Sequence, residues 1–393
     1  MARVALIGGF GDLVVKLRGS LIHALRKQGH EVVVCTPAPS AAAAPGVQEG
    51  LRTLGARFVE APLDRTSTNP FTEMASRSFY QRFMRDEAPD AVLAYNPKPV
   101  FYAVPAARRA GVRHISAMIT GLGYAFVSTS VSARLMAMVA MRLYRRALPQ
   151  ADCVIFQNSD DRAFFDHAGL LGGVRKVEQV PGPGVDLEQF PYVPFTEPPK
   201  VITYLFVGRL LRDKGVEDYV QAAHALRQLR LDHHRMRFQI AGFLDSNPAS
   251  VTAQDVAAWQ SEGVVEYLGR LEDVRPALAA ATVFVLPSRG EGMPKAILEA
   301  MATGRPVVTT DAPGCRESIE DQVSGYLVPA ESPPALAVGM EQFLEDPKLV
   351  LVMGRAARER AEAVFDSRKV NAQMLAAMGL AATRGREPAT SGV

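Results

Sequence analysis

The feature that most constrains this chain is an alternation of strand-like and helix-like segments that runs through it twice. The first cycle opens with an apolar run at residues 3–7, a glycine loop at residues 8–11 and a segment with leucines every four residues from Leu13 to Leu25. A second cycle starts after residue 200. Because parallel strands need crossover connections, repeated strand–helix alternation is typical of sheets with helices on both faces. The sequence therefore predicts an α/β protein with doubly wound parallel sheets.

A Pro/Gly-rich stretch divides the chain into two halves, in line with the two to three domains that 393 residues favour. Residues 181–200 contain six prolines, which is typical of a connection between domains. Two such sheets should enclose a cleft at the carboxyl ends of their strands, where ligands bind. The expected parts are a first domain (1–185), a linker (186–200), a second domain (201–365), a helix packing back on the first domain (366–382) and a mobile tail (383–393).

Composition excludes several classes of protein. A hydrophobic content of 48% and a charged content of 22% are ordinary for globular proteins and exclude wholesale disorder. Three widely spaced cysteines argue against a disulfide framework or a cysteine metal site. The N-terminus lacks the features of a signal peptide, and the longest uncharged stretch, residues 115–133, contains eight Gly, Ser or Thr and is not predicted to span a membrane. We therefore expect a cytoplasmic protein.

Positive charge is concentrated in one part of the chain. The net charge of +3 is too small to indicate a nucleic acid partner, but Arg65 to Arg146 contain twelve Lys/Arg against four Asp/Glu. Residues 132–146 combine a Met/Leu-rich face with arginines, and residues 71–85 interleave arginines with aromatic side chains. Such segments lie on anionic bilayers, so we expect a membrane surface as a partner; a core-packed helix with solvated arginines is the alternative. The arginines concerned are Arg134, Arg142, Arg145 and Arg146.

The loop Gly8-Gly-Phe-Gly11 follows a strand and opens a helix, where free backbone N–H groups favour a phosphate. A tight turn needed only for packing is the alternative. The dinucleotide fingerprint needs Gly at position 14 and an acidic residue at the end of the next strand, but this chain has Val14 and Thr36 there. The loop therefore does not favour an NAD-dependent enzyme.

Two cations follow the first strand of the second half. Arg209 and Lys214 lie between a strand and a helix and are flanked by Gly208 and Gly215. Cations at the carboxyl end of a parallel strand suit a diphosphate that is neutralised without a metal. Two solvated loop cations are the alternative.

Two glutamates, Glu291 and Glu299, stand eight residues apart. Pro294 suits a first helical turn, which predicts Glu291 in the preceding loop and Glu299 inside the helix. The neighbours of Glu299 are small and apolar, so its carboxylate should be buried and need a partner. The N–H groups expected to face the cleft, where they could hold a phosphate ester or a polyol, are those of Met293, Lys295 and Ala296.

In order and spacing, these motifs resemble those of the family 4 retaining glycosyltransferases, whose GT-B fold has two Rossmann-like domains facing a central cleft. The resemblance covers nearly the whole chain and implies transfer of a sugar from a nucleotide-sugar. The motifs that carry it are Gly8-Gly-Phe-Gly11 with Gly29-His-Glu-Val32, Gly208-Arg-x4-Lys-Gly215, Pro287-Ser288, Glu291-x7-Glu299, Gly304-Arg-Pro-Val307 and a closing segment at residues 317–328.

The resemblance also implies roles for the site residues. Arg209 and Lys214 would bind the donor diphosphate and, with Glu291, form the catalytic set, while Glu299 would bind the ribose. Cations preorganised where the leaving diphosphate gains charge lower the barrier, so neither a metal nor another cofactor is expected. Gly269 and Arg270 would bind the nucleotide base. The other donor-binding residues that the resemblance implies are Gly9, Gly11, Gly208, Gly292, Met293, Pro294, Lys295 and Ala296.

The chain departs from the family in its first domain. Many members carry a histidine at a strand end where this chain has Thr120 and Gly121, whereas His114 starts that strand. Whether His114 or Thr120 takes part in catalysis stays open. Residues 120–126 and the Asn-Pro-Lys-Pro at 96–99 resemble the subgroup that glycosylates polyprenyl-diphosphate-linked sugars. The acceptor-binding residues that this implies are Lys98, at the acceptor diphosphate, and Thr120, Gly121 and Tyr124.

The sequence is thus identified as that of a glycosyltransferase moving a hexose or N-acetylhexosamine from a UDP-sugar to a lipid-linked saccharide, with an α-linkage, in bacterial glycan synthesis. The expected place is the inner face of the cell membrane. The alternatives are a GT-B sugar-nucleotide epimerase, a glycosyltransferase with a GDP-sugar donor and a soluble acceptor, and a non-catalytic sugar-binding protein.

Overall fold

The structure is a computed structural model that describes residues 1–64, 67, 69–121, 131–230, 232–245 and 249–381, with residues 131–133 and 233 described by their backbone alone. Tyr124 and the predicted tail at 383–393 lie outside these residues. Within them, no helix combines the length and the apolar character that crossing a bilayer requires.

The first half forms a seven-stranded parallel sheet in the order β3-β2-β1-β4-β5-β6-β7. Its strands are β1 (Arg3–Ile7), β2 (Glu31–Thr36), β3 (Arg57–Glu60), β4 (Ala91–Tyr95), β5 (His114–Ile119), β6 (Cys153–Phe156) and β7 (Val177–Gln179). Its helices are α1 (Val14–Lys27), α2 (Ala44–Thr53), α3 (Pro70–Glu87), α4 (Pro97–Arg109), α5 (Val131–Ala147) and α6 (Ser159–His167). The strand order reverses between β1 and β4, so the glycine loop after β1 opens onto a crevice.

The second half forms a six-stranded parallel sheet in the order β10-β9-β8-β11-β12-β13. Its strands are β8 (Ile202–Arg209), β9 (Met236–Phe243), β10 (Glu266–Gly269), β11 (Val283–Leu286), β12 (Val307–Thr310) and β13 (Gly325–Val328). The helices are α7 (Val216–Leu229), α8 (Ala253–Ser261), α9 (Arg275–Ala280), α10 (Lys295–Thr303), α11 (Pro333–Glu345), α12 (Lys348–Arg360) and α13 (Ser367–Ala377). The predicted fold class, two doubly wound α/β sheets, is confirmed.

Both faces of the first sheet are buried, which explains why its strands read as continuous apolar runs rather than as alternating ones. Along β1, Val4 and Leu6 pack into one apolar cluster with α1 and α2, whereas Ala5 and Ile7 pack into another with α3, α4 and α5. The sheet is therefore held between two helical layers, and only the ends of its strands can present polar groups to a ligand.

The last helix returns to the first domain. Val370, Met374 and Leu375 of α13 share the apolar cluster of β1 and α1. The crossing is fixed by backbone hydrogen bonds from the N–H of Val185 to the carbonyl of Phe365 (2.8 Å) and from the N–H of Ser367 to the carbonyl of Val185 (2.9 Å). The two halves are thus joined by two chain segments that run side by side.

The segment between the domains runs along the second one. The N–H of Val193 donates to the carbonyl of Thr303 (3.1 Å), and Arg358 donates to the carbonyl of Phe190 (3.0 Å). Arg305 is fully buried, donates to the carbonyl of Val193 and lies 4.6 Å from the ring of Phe195. These contacts fasten residues 186–200 to the second domain.

Gly215, which ends the loop after β8, has no room for a side chain. Its φ is 71°, and a Cβ atom there would lie 2.1 Å from the carbonyl oxygen of Pro287. Gly263 has a similar φ of 68° with no atom within 4 Å of that position, so it is a matched control.

We expect Gly263→Ala to lower the free energy of unfolding by about 1 kcal/mol, the cost of a left-handed backbone for alanine. Gly215→Ala should cost at least about 2 kcal/mol more, because strand β11 must also move. Urea denaturation of both variants measures this. Equal losses would contradict the close approach at Gly215.

Candidate active site

Arg209 and Lys214 both reach carboxylates at the carboxyl end of β8. Nη1 of Arg209 lies 3.0 Å from Oδ2 of Asp245, and the Lys214 ammonium donates to Glu291. The Lys214 and Glu291 side chains are only 15% and 16% exposed. The structure therefore brings the three residues of the predicted catalytic set together at the carboxyl end of the second sheet, where each cation is paired with a carboxylate.

The turn that carries Glu291 and Gly292 is enclosed by backbone from both domains. The N–H of Glu291 donates to the carbonyl of Pro313 (2.9 Å). A Cβ at Gly292 would lie 2.6 Å from the carbonyl oxygen of Thr120, and one at Gly314 would lie 2.2 Å from the carbonyl oxygen of Glu291. Gly121, with a φ of 114°, lies against the same turn. No side chain larger than hydrogen fits at Gly292.

Helix α10 begins one residue later than the sequence predicts. Pro294 has an extended ψ of 102° and precedes the helix, which starts at Lys295. The unpaired N–H groups of the first turn are thus those of residues after the proline, including Lys295 and Ala296. The Met293 side chain is buried in the core of the second domain and packs on Gly182.

Glu299 is 1% exposed, and its nearest cation comes from the other domain. Nζ of Lys16 on α1 lies 3.8 Å from Oε2 of Glu299, and within the described residues Oε2 accepts no hydrogen bond. Burial raises the pKa of the Glu299 carboxyl and lowers the pKa of Lys295, which donates to the carbonyl of Lys16. The sequence predicts that the buried Glu299 carboxylate needs a partner, but it does not indicate that this partner is Lys16.

One side chain ties together the first-domain wall of the cleft. Asn96, with a φ of 71°, accepts from the N–H of Gly9 (3.1 Å) and donates to the hydroxyl of Thr120 (2.9 Å). Gly11 is needed for packing, because a Cβ there would lie 2.5 Å from the carbonyl oxygen of Pro37. The ends of β1, β4 and β5 therefore form one hydrogen-bonded surface, and a donor role for Gly9 and Gly11 stays a prediction.

Three protein oxygens surround the Lys98 ammonium. It donates to the carbonyls of Asp64 (2.7 Å) and Ser67 (2.6 Å) and to the carboxylate of Glu73 (2.6 Å). An ammonium has three N–H groups, so these bonds use all of them. Binding of an acceptor diphosphate by Lys98 stays a prediction that requires displacement of these partners.

His114 and Thr120 lie at opposite ends of β5. Thr120 follows the strand and reaches the cleft, while His114 is exposed at the other end, beside Gly379. A six-residue strand separates them by roughly 17–20 Å. The structure thus brings Thr120, and not His114, to the other site residues.

The two residues predicted to bind the nucleotide base, Gly269 and Arg270, lie at the end of β10, an outer strand of the second sheet. Gly269 ends β10, and the Arg270 guanidinium lies 4.9 Å from the centre of the Phe243 ring. Gly208 lies within β8, where its carbonyl would be 2.0 Å from a Cβ at Gly242. Base binding by this corner stays a prediction. In the part of the chain that the structure describes, no three His, Cys, Asp or Glu side chains are grouped to hold a metal ion.

Several polar contacts join the two domains, and the sequence does not predict them. Asn158, at the end of β6, donates to the carbonyls of Glu291 and Gly292, and Ser159 donates to the carboxylate of Glu317. Arg316 forms two 3.0 Å contacts with Asp160. The only signal in the sequence is the polar run after a strand, which marks a helix start and says nothing of the opposite domain.

Comparisons with known proteins place the chain in a family. The "Glycosyl transferase 4-like domain" matches residues 18–183, and "Glycosyl transferases group 1" matches residues 202–346. The chain is 25% identical over 370 residues to the N,N'-diacetylbacillosaminyl-diphospho-undecaprenol alpha-1,3-N-acetylgalactosaminyltransferase of Campylobacter jejuni, a match that covers 91% of this chain and 94% of that protein.

Solved structures share the fold. Sucrose-phosphate synthase from Thermosynechococcus elongatus superposes with a TM-score of 0.77 at 20% identity, covering 95% of this chain and 97% of that one. HepE from Anabaena, in complex with UDP and glucose, has a TM-score of 0.73 at 17% identity, covering 96% and 100%. Two such domains around one cleft define the GT-B fold. The chain belongs to the family 4 glycosyltransferases and is an enzyme, as the sequence motifs predicted.

The carboxyl of Asp161 is buried beside Asn158, and the pH dependence of stability tests this burial. Burial raises the pKa of its carboxyl to about 6; the hydrogen bond from Asn158 opposes this, and the charges of Asp160 and Glu317 add to it. A carboxyl whose pKa is higher in the folded state stabilises the fold least when ionised, so stability is lost as the pH rises from about 4 through 6.

We expect Asp161→Asn, which cannot ionise, to gain stability relative to the unchanged protein over this pH range, by up to about 3 kcal/mol at pH 7. Thermal unfolding of both proteins at pH 4, 5, 6 and 7 measures the difference. A difference that does not grow with pH would contradict the burial of an ionised Asp161.

Proposed function

We propose that this enzyme transfers a hexose or N-acetylhexosamine from a UDP-sugar to a polyprenyl-diphosphate-linked saccharide, with retention of the anomeric configuration, in bacterial glycan synthesis. The observation that carries the donor assignment is the pair Arg209 and Lys214 at the end of β8, with Lys214 donating to Glu291 and the buried Glu299 on the helix that follows Glu291. A relative named for a diphospho-undecaprenol acceptor and a structural neighbour holding UDP support the two substrates.

The proposed mechanism exchanges partners in the cleft. The donor diphosphate takes the Lys214 ammonium from Glu291 and the Arg209 guanidinium from Asp245. Glu291 then accepts hydrogen bonds from the sugar hydroxyls, and Glu299 accepts them from the ribose. As the glycosidic bond to phosphate breaks, negative charge develops on the departing UDP, where the two preorganised cations stabilise it without a metal. The acceptor hydroxyl attacks the anomeric carbon from the face that UDP leaves, forms the new glycosidic bond and gives its proton to the departing phosphate oxygen.

The test of this assignment uses UDP with the full chain in the presence of EDTA. At a hundredfold excess over its dissociation constant, UDP should raise the free energy of unfolding by about 2.7 kcal/mol. Arg209→Ala should weaken UDP binding at least about tenfold, since it removes a charge-assisted hydrogen bond. Arg212→Ala is the matched control, because Arg212 lies in the same loop but pairs with Glu217 at the surface.

Thermal-shift titrations with UDP, GDP and ADP measure these effects. Stabilisation by GDP or ADP but not by UDP would overturn the assignment of the base. If all three nucleotides fail to stabilise the protein, the site itself is wrongly assigned.

We propose further that the enzyme binds an anionic membrane at the cytoplasmic face. The first half of α5 exposes Leu135, Met136, Met138 and Val139, and the start of α3 exposes Phe71 and Met74. Towards its end α5 buries Tyr144 and Ala147 in the core. The same helix carries four arginines, and exposed apolar side chains together with arginines suit insertion among acidic headgroups. Met138 is exposed, whereas Met141, three residues later, packs against the core of the first domain.

Replacing the four arginines, Arg134, Arg142, Arg145 and Arg146, by glutamine should weaken binding to phosphatidylserine-containing liposomes at low salt at least about 100-fold. Co-sedimentation measures this. The matched control replaces four exposed arginines elsewhere, which are Arg52, Arg175, Arg275 and Arg368. Equal losses of liposome binding in the two variants would show that binding depends on net charge alone and not on α5. A lack of binding by the unchanged protein would contradict the membrane proposal.

A further inference from the structure

The Asn158 side chain is fully buried at the boundary between the domains, and its orientation is fixed from within the first domain. It caps α6, where its Oδ1 accepts from the N–H of Asp161 at 2.7 Å. Only the oxygen of an amide can accept from an N–H group, so the other end of the side chain must be the donor. The Nδ2 group is therefore the donor of this side chain.

The fixed Nδ2 group crosses the domain boundary. It lies 3.1 Å from the carbonyl oxygen of Glu291 and 2.9 Å from that of Gly292, and 2.9 Å from Oδ2 of Asp161. Asn158 and Glu291 are 133 positions apart in the chain and belong to different domains. The amide has two N–H groups for these three acceptors, so at least one N–H is shared, and one side chain of the first domain contacts two successive peptide groups of the second.

Holding these carbonyls also fixes the donors of the same peptide units. In a planar trans peptide the C=O and the following N–H point in opposite directions. Fixing the carbonyls of Glu291 and Gly292 therefore sets the directions of the N–H groups of Gly292 and Met293. Gly314 closes the turn from the other side, since a Cβ there would lie 2.2 Å from the carbonyl oxygen of Glu291.

We propose that Asn158 is a positioning residue, which orients the Glu291–Gly292 turn for the donor sugar only when the two domains are in contact. It touches no reacting atom and acts through Glu291, whose carboxylate meets Lys214, and through the N–H groups of the turn. Contact between the domains thereby completes the donor site, and this inference rests on the proposed function for the identity of the donor.

Three variants separate positioning from folding. Asn158→Ser keeps a good helix cap but is too short to reach both carbonyls, while Asn158→Ala loses the cap and the donor. Ser159→Ala is the matched control, since Ser159 bonds across the same boundary to Glu317 but does not touch the turn. The unfolding temperatures of Asn158→Ser and Ser159→Ala should both stay close to that of the unchanged protein.

The first measurement uses the ligand-free protein. We expect amide hydrogen exchange in a peptide covering residues 289–295 to be at least about tenfold faster in Asn158→Ser than in Ser159→Ala, because the turn loses its partner in the first domain. Equal exchange in these two variants overturns the inference, whatever the donor is.

The second measurement uses the full chain with UDP and with UDP-N-acetylgalactosamine. Asn158→Ser should bind UDP within about threefold of the unchanged protein and lose about 10- to 100-fold in kcat/KM. A double variant with Glu291→Gln should lose less in kcat/KM than the product of the two single losses, because both changes act on one turn. Multiplying effects, or an unchanged kcat/KM in Asn158→Ser, would overturn the inference. Failure of the unchanged protein to bind UDP counts against the proposed function and leaves the exchange measurement to decide on Asn158.

Discussion

The arrangement of the cleft depends on a backbone-to-backbone contact between the domains at Gly292. A side chain at this position would collide with the carbonyl of Thr120 and with Gln157, so the loop before α10 can approach the first domain only as glycine. The same contact brings the end of β5 to Glu291, and through Asn96 it connects to the glycine loop after β1. Residues on three strands of one sheet and one loop of the other thus share a single surface, although most of them are far apart in the chain.

Charge balance across this surface explains how the partly buried Glu291 carboxylate and the buried Glu299 carboxylate are tolerated. Glu291 is neutralised within its own domain by Lys214, whereas Glu299 depends on Lys16 of the opposite domain at 3.8 Å. Burying a carboxylate is costly unless it is paired, and burial raises the pKa of Glu299 although Lys16 and Lys295 lower it, so the two cations offset this cost only in part. A ligand that brings hydroxyl donors to Glu299 and negative charge to Lys214 would give each group a partner, and the proposed nucleotide-sugar has both properties.

The sequence predicts features that lie within one element and misses relations between elements. Strand–helix alternation gave the two sheets, and the small apolar neighbours of Glu299 predicted its burial, because both follow from local periodicity. The position of Arg209 at a strand end was likewise predictable. The partners Lys16 and Asn158 were not, since their contacts depend on how two domains dock over separations of more than 100 residues. For Lys98 the resemblance implied contact with the acceptor diphosphate, but the carbonyls of Asp64 and Ser67 and the carboxylate of Glu73 accept hydrogen bonds from its ammonium.

We propose that one cleft, formed by both domains, holds the nucleotide of the donor. A crystal structure of the protein with UDP tests this proposal most directly. We expect the diphosphate within hydrogen-bond distance of the Arg209 guanidinium and the Lys214 ammonium, with the ribose hydroxyls on Glu299 and Lys214 released from Glu291. UDP bound with its diphosphate away from both cations, or with Glu299 still paired only to Lys16, would contradict it.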